Sequence, residues 1–112
     1  MQRYCLALDL KEDPELIAAY EAFHREVWPE ILVGIRKAGI LQMEIYRTGN
    51  RLFMIMEAED EFSFEAKAER DRLDPKVAEW EALMWKYQQA LPHAAPGQKW
   101  VIMDKIFDLI SF

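Results

Sequence analysis

The apolar residues of this chain recur first at every second position, then at every third or fourth, then at every second again, and few folds accommodate that succession. Tyr4, Leu6, Leu8 and Leu10 alternate with Arg3, Cys5, Ala7 and Asp9, the pattern of a strand with one face buried. Asp13-Pro14-Glu15 then carries a helix start: an N-cap acceptor, a proline where its missing N–H costs nothing, and an acid in the first turn. Leu16, Tyr20, Phe23, Val27, Ile31, Ile35 and Ala38 follow on one helical face. Pro29 lies inside that stripe, so the helix is expected to kink near Trp28 or to divide in two. Gly39 supplies a stop.

Leu41, Met43 and Ile45 alternate with Gln42, Glu44 and Tyr46, which predicts a second strand. Thr48-Gly49-Asn50 is turn material and returns Arg51–Glu59 as the antiparallel arm of a hairpin. Ser63 caps a helix to about Leu73, and Asp74-Pro75 starts another. Val77, Trp80, Met84, Tyr87 and Leu91 keep helical spacing up to Pro92. After a Pro/Gly loop over His93–Gln98, Trp100–Phe107 reads as the last strand. The order β-α-β-β-α-β predicts an α+β ferredoxin-like sandwich, with four antiparallel strands and the helices on one face. Nothing in the chain covers the other sheet face. A homodimer, closing a dimeric α+β barrel, is therefore expected. The 112 residues show no repeat or linker, so residues 1–112 are expected to form a single domain.

Composition removes several classes of function. Twenty Asp+Glu against fourteen Lys+Arg give a net charge of −6, which disfavours nucleic acid and anionic membrane surfaces as partners. The longest apolar run, Leu52 to Met56, is far too short to span a bilayer. No secretory signal opens the chain, and the lone Cys5 can form neither an internal disulfide nor a metal cluster; a reducing cytoplasm is expected. His24 and His93 lie on different elements without metal-ligand spacing, so no metal and no cofactor are expected. The four glycines form no phosphate loop, and neither Ser63 nor Ser111 sits in a nucleophile elbow. Four Trp, four Tyr and six Phe exceed what a small core needs, which points to an interface, a ligand pocket or both.

Tyr20, His24 and Trp28 stand four residues apart, each about 40° around the helix from the last. They offer a phenol, an imidazole that carries a proton either way near neutrality, and an apolar plate with one donor. Spacing alone fits plain packing, with His24 at the border of the core. Trp80 lies on the main stripe of the last helix, whereas Trp85 lies off it and needs a pocket or an interface. Glu44 and Tyr46 share one face of the second strand. Indole plates bordered by hydrogen-bonding groups suit a sugar, whose C–H faces pack on rings while its hydroxyls need directed partners.

The segment Tyr20-Glu-Ala-Phe-His24-Arg-Glu-Val-Trp28-Pro29-Glu30 resembles the Tyr-x-x-x-His-x-x-x-Trp-Pro-Glu segment of L-rhamnose mutarotases, and the resemblance extends over nearly the whole chain. It implies a cofactor-free, dimeric ferredoxin-like protein that interconverts the α and β anomers of a 6-deoxyhexose. It further implies a sugar site lined by His24 and Tyr20, as catalytic groups, and by Trp80. Trp28, Glu44, Tyr46 and Trp85 are the further substrate contacts expected. Rhamnose-type members carry adjacent Trp-Trp in the last helix and an Asn-Pro-Asp loop. Here Trp80 and Trp85 are separated and the loop is His93-Ala-Ala-Pro-Gly-Gln98, so L-fucose stands beside L-rhamnose as a candidate substrate. The rivals are another cofactor-free enzyme on this scaffold, such as a small monooxygenase, and a non-enzymatic ligand-binding module. A sugar site is distinguished by polar groups near the indoles, for which Glu44, Tyr46 and Asp104 are the candidates.

Overall fold

β1 (Gln2–Leu10) is the strand around which the rest assembles in the computed structural model, which describes residues 1–112. β3 (Arg51–Ala58) pairs with it antiparallel from Gln2↔Ala58 to Asp9↔Arg51. β2 (Ile40–Thr48) pairs with the far side of β3 through the Gly49-Asn50 turn, where Gly49 adopts φ 57°, a conformation that costs glycine little. The strand order is β2-β3-β1-β4, with β4 the short segment Gln88–Gln89, the ferredoxin-like arrangement. Helices α1 (Pro14–Arg25), α2 (Pro29–Lys37), α3 (Phe64–Leu73) and α4 (Pro75–Trp85) cover the face that carries Leu6, Leu8, Leu10, Leu52, Met54 and Met56.

Local chemistry places the helix boundaries. The Asp13 carboxylate accepts from the Glu15 and Leu16 amides at 2.9 and 3.3 Å, and Asp74 caps α4 in the same way. Pro29 divides the long stripe into two helices: Trp28, at ψ 134°, is held extended by the proline that follows it. Gly39 ends α2 at φ 94°, as expected of a left-handed stop.

Three expectations from the sequence need correction. Leu41 does not continue the inward face of β2, because a register shift between Ile40 and Gln42 buries Ile40 and leaves Leu41 58% exposed. The last strand is not a continuous Trp100–Phe107 segment. The last helix, α4, does not run on to Pro92 but stops at Trp85, and β4 (Gln88–Gln89) pairs with Leu10 and Asp9. The chain loops out and returns as β5 (Val101–Ile102), paired with Ala7 and Leu6 further along the same edge. The fourth strand is thus built in two pieces on one edge of β1.

Candidate active site

The core forms two buried clusters, one around Leu10, Tyr20, Trp80 and Met84 and the other around Leu6, Ile40, Met54 and Met56. Side chains of both clusters line one cavity of about 520 Å³ between the sheet and α1, α2 and α4. That volume lies within the roughly 300–1,000 Å³ usual for small-molecule sites. Most of the wall is apolar; Tyr20, His24, Glu81 and Gln88 are among the residues that bring polar groups to it, with Arg36, Gln42, Lys67 and Asp71.

One helical turn separates Tyr20 from His24, and the imidazole uses that spacing. Its Nδ1 lies 2.8 Å from the backbone carbonyl of Tyr20. A carbonyl only accepts, so Nδ1 carries the hydrogen, and in the neutral ring Nε2 keeps the basic lone pair. The ring packs against two aromatic neighbours. Tyr20 lies against one face at 4.4 Å between centroids, and Trp80 stands at 5.8 Å with its plane inclined by 64°. Trp80 also packs against Trp28 at 5.1 Å and Phe23 at 6.3 Å, so it joins α4 to α1 as well as walling the cavity.

Tyr20 is buried, and its phenol oxygen accepts a hydrogen bond from Gln88 Nε2 at 3.1 Å. Burial pushes the phenol up to about 12; the Gln88 bond opposes that rise and the charge of Glu81 adds to it. Tyr20 is therefore a neutral hydrogen-bonding group across the working range of an enzyme. The folded state prefers the protonated phenol, so its stabilising contribution is complete below pH 10 and is lost as the pH climbs from 10 to 12. The two-unit rise corresponds to about 2–3 kcal/mol. Denaturant melts across this range are expected to show that alkaline loss, and Tyr20→Phe is expected to flatten it. Equal slopes for the two proteins would refute the assignment.

The other residues expected at the site lie elsewhere. Trp28 stands behind Trp80, with Lys76 Nζ 5.2 Å from its ring centre, and does not reach the cavity wall. Glu44 and Tyr46 are on the outer face of the sheet, opposite the cavity, where the Tyr46 hydroxyl donates to Glu44 at 2.9 Å; that bond raises the Tyr46 phenol above its ordinary value. Trp85 is 37% exposed under Lys99, whose ammonium also binds Glu81 at 2.7 Å. Asp104 is exposed beyond β5. No three His, Cys, Asp or Glu side chains gather closely enough to hold a metal ion.

The sequence profile of the L-rhamnose mutarotase family matches residues 3–109. The chain belongs to that family. An L-fucose mutarotase of Xanthomonas campestris pv. campestris is 50% identical over 111 residues, covering 97% of this chain and 89% of that protein. The crystal structure of an L-rhamnose mutarotase from Formosa agariphila has a TM-score of 0.71 at 17% identity, covering 97% of this chain and 99% of that one. A type-II polyketide cyclase of Streptomyces glaucescens follows with a TM-score of 0.61, also at 17% identity, covering 96% and 98% of the two chains. These two structural likenesses speak for the fold alone.

Within this mutarotase-family chain, Tyr20, His24 and Trp80 all line the cavity. It adds residues that the sequence does not mark as site residues, among them Glu81, Gln88 and Trp100. Gln88 falls within the helical spacing that runs up to Pro92, and nothing in Gln88-Gln89 suggests a strand. Trp100 stands just before β5 rather than on it, and only the fold turns it toward the cavity.

Proposed function

We propose that the protein is a mutarotase that interconverts the α and β anomers of a 6-deoxy-L-hexose, with L-fucose as the first substrate. The observation that carries this reading is the His24 imidazole, tied through Nδ1 to a backbone carbonyl and set in a cavity between phenol and indole. In the proposed reaction, His24 Nε2 takes the proton of the anomeric hydroxyl while the bond between the anomeric carbon and the ring oxygen breaks. The same imidazolium returns that proton to the ring oxygen, giving a free hydroxyl and an aldehyde. Rotation about the adjacent carbon–carbon bond and the reverse steps close the other anomer. The neutral Tyr20 phenol donates a hydrogen bond to the ring oxygen as negative charge builds on it. A positioned acid–base of this kind supplies about 10²–10⁴-fold. The indoles of Trp80 and Trp100 offer surface for the C–H face and the methyl group of the sugar.

Family membership and the 50% identity to a protein named L-fucose mutarotase support the choice of substrate. Exchange NMR of anomeric protons tests it directly, with L-fucose, L-rhamnose and common D-hexoses as a panel. Acceleration is expected for L-fucose above all. Exchange at the spontaneous rate for every sugar would overturn the reading, and binding without exchange would make the chain a ligand-binding module.

The working form is proposed to be a homodimer in the cytoplasm. The outer sheet face carries Cys5, Ala7, Phe53 and Ile55, half-buried in the single chain, and no helix covers it. Ile106 and Ile110 beyond β5 are 96% and 94% exposed, an apolar area that favours cover by a second copy. The half-buried free Cys5 fits a reducing compartment. Light scattering at micromolar concentration is expected to give the mass of two 13.3 kDa chains, and a single-chain mass would refute the dimer.

A further inference from the structure

Gln88 is only 6% exposed, and it reaches the cavity from β4, a two-residue strand tied to β1 at Leu10. Its amide is divided in its contacts. Nε2 donates to the Tyr20 phenol oxygen at 3.1 Å, while Oε1 is buried without a hydrogen-bond partner. Had the amide been turned about its last torsion, Oε1 would accept the phenol hydrogen and Tyr20 would have none to offer a ligand. A buried carbonyl left unpaired is uncommon enough to call for an explanation.

We infer that Gln88 is a positioning residue for mutarotation: by donating to the phenol oxygen of Tyr20, it turns the phenol hydrogen toward the ring oxygen of the sugar. The unpaired Oε1 is then the cost of that orientation. The role rests on the proposed reaction, but the direction of the hydrogen bond does not, so the two are tested separately.

The direction is read without any sugar, by alkaline absorbance titration of tyrosine in the parent and in Gln88→Met. An N–H donated to the phenol oxygen stabilises the phenolate, so its removal is expected to move Tyr20 ionisation up. If the amide instead accepted the phenol hydrogen, the same substitution would move the ionisation down and overturn the inference. An unchanged titration overturns it as well.

The consequence for catalysis is read by a cycle of Gln88→Met, Tyr20→Phe and the double variant with L-fucose. Because charge grows on the ring oxygen in the transition state, Gln88→Met is expected to lower kcat by about tenfold with KM within about twofold. Tyr20→Phe is expected to cost at least as much, and the double variant no more than Tyr20→Phe, since Gln88 acts only through the phenol. Losses that multiply, or a fully active Gln88→Met, would leave Gln88 as packing only and overturn the inference. Should Gln88→Met fail to fold, Gln88→Glu keeps the shape but presents an acceptor. That variant is expected to lose kcat by about tenfold at neutral pH; parent activity in it overturns the inference. If the parent protein accelerates no anomer exchange, the proposed function falls and the catalytic role with it, while the titration still reports the direction of the bond.

Discussion

His24→Asn is expected to lower anomer exchange by about 10²-fold or more while leaving the fold in place. The ring is half-buried, at the margin of the core, and its one directed contact is the Nδ1–H bond to the Tyr20 carbonyl. An asparagine amide can still donate to a carbonyl one turn away, so the local hydrogen bonding survives. What disappears is the second nitrogen, the atom that takes a proton from the anomeric hydroxyl and returns it to the ring oxygen. Loss of the contacts with Tyr20 and Trp80 is expected to cost about 1 kcal/mol, a small part of the roughly 5–15 kcal/mol that holds a domain together. His93 is the internal control: it is exposed in the loop after Pro92, so His93→Asn is expected to retain the parent rate. Exchange NMR measures both variants once the spontaneous rate is subtracted. A folded His24→Asn protein with the parent rate would remove His24 from the mechanism.

The sequence made the frame of this fold legible because its strongest signals are local. Alternation in β1 marked Leu6, Leu8 and Leu10 as buried, and all three are. Asp13, Ser63 and Asp74 sit at helix starts with their side chains accepting backbone N–H groups. The Tyr20–His24 spacing was also local, but by itself it fits plain packing; the resemblance to L-rhamnose mutarotases is what marked the two as site residues, and both line the cavity. What stayed hidden depends on pairing between distant segments. Gln88-Gln89 has no strand-like residues and extends a helical stripe, yet the free edge of β1 recruits it at Asp9 and Leu10. The slip at Leu41 is a bulge that alternation cannot foresee. Glu44 and Tyr46 show a further limit. Alternation says that two residues share a sheet face but not which face borders a cavity, and here the space lies under the helices, where the two core clusters meet.

Trp80 is both wall and support, and its substitution should separate the two roles. It is 6% exposed and packs against Phe23, His24 and Trp28. Trp80→Ala would open a void where α4 meets α1, and truncations of this kind cost about 3–5 kcal/mol. Set against a total of roughly 5–15 kcal/mol, that is a large share, and the thermal midpoint is expected to fall on the order of 15 °C. Calorimetry or a denaturant melt checks it, and a loss under about 1 kcal/mol would show that the indole is not the support its contacts indicate. Trp80→Phe retains an apolar ring in the same space, so it is the variant that reports on the ligand. Trp80 and Trp100 both line the cavity, whereas Trp85 lies outside it beneath Lys99. A sugar that displaces water from an indole changes its emission. The fluorescence response to L-fucose is therefore expected to persist whole in Trp85→Phe, to shrink in Trp80→Phe, and to vanish when Trp80 and Trp100 are both replaced by Phe. A response lost in Trp85→Phe, or kept in the double variant, would move the sugar site out of this cavity.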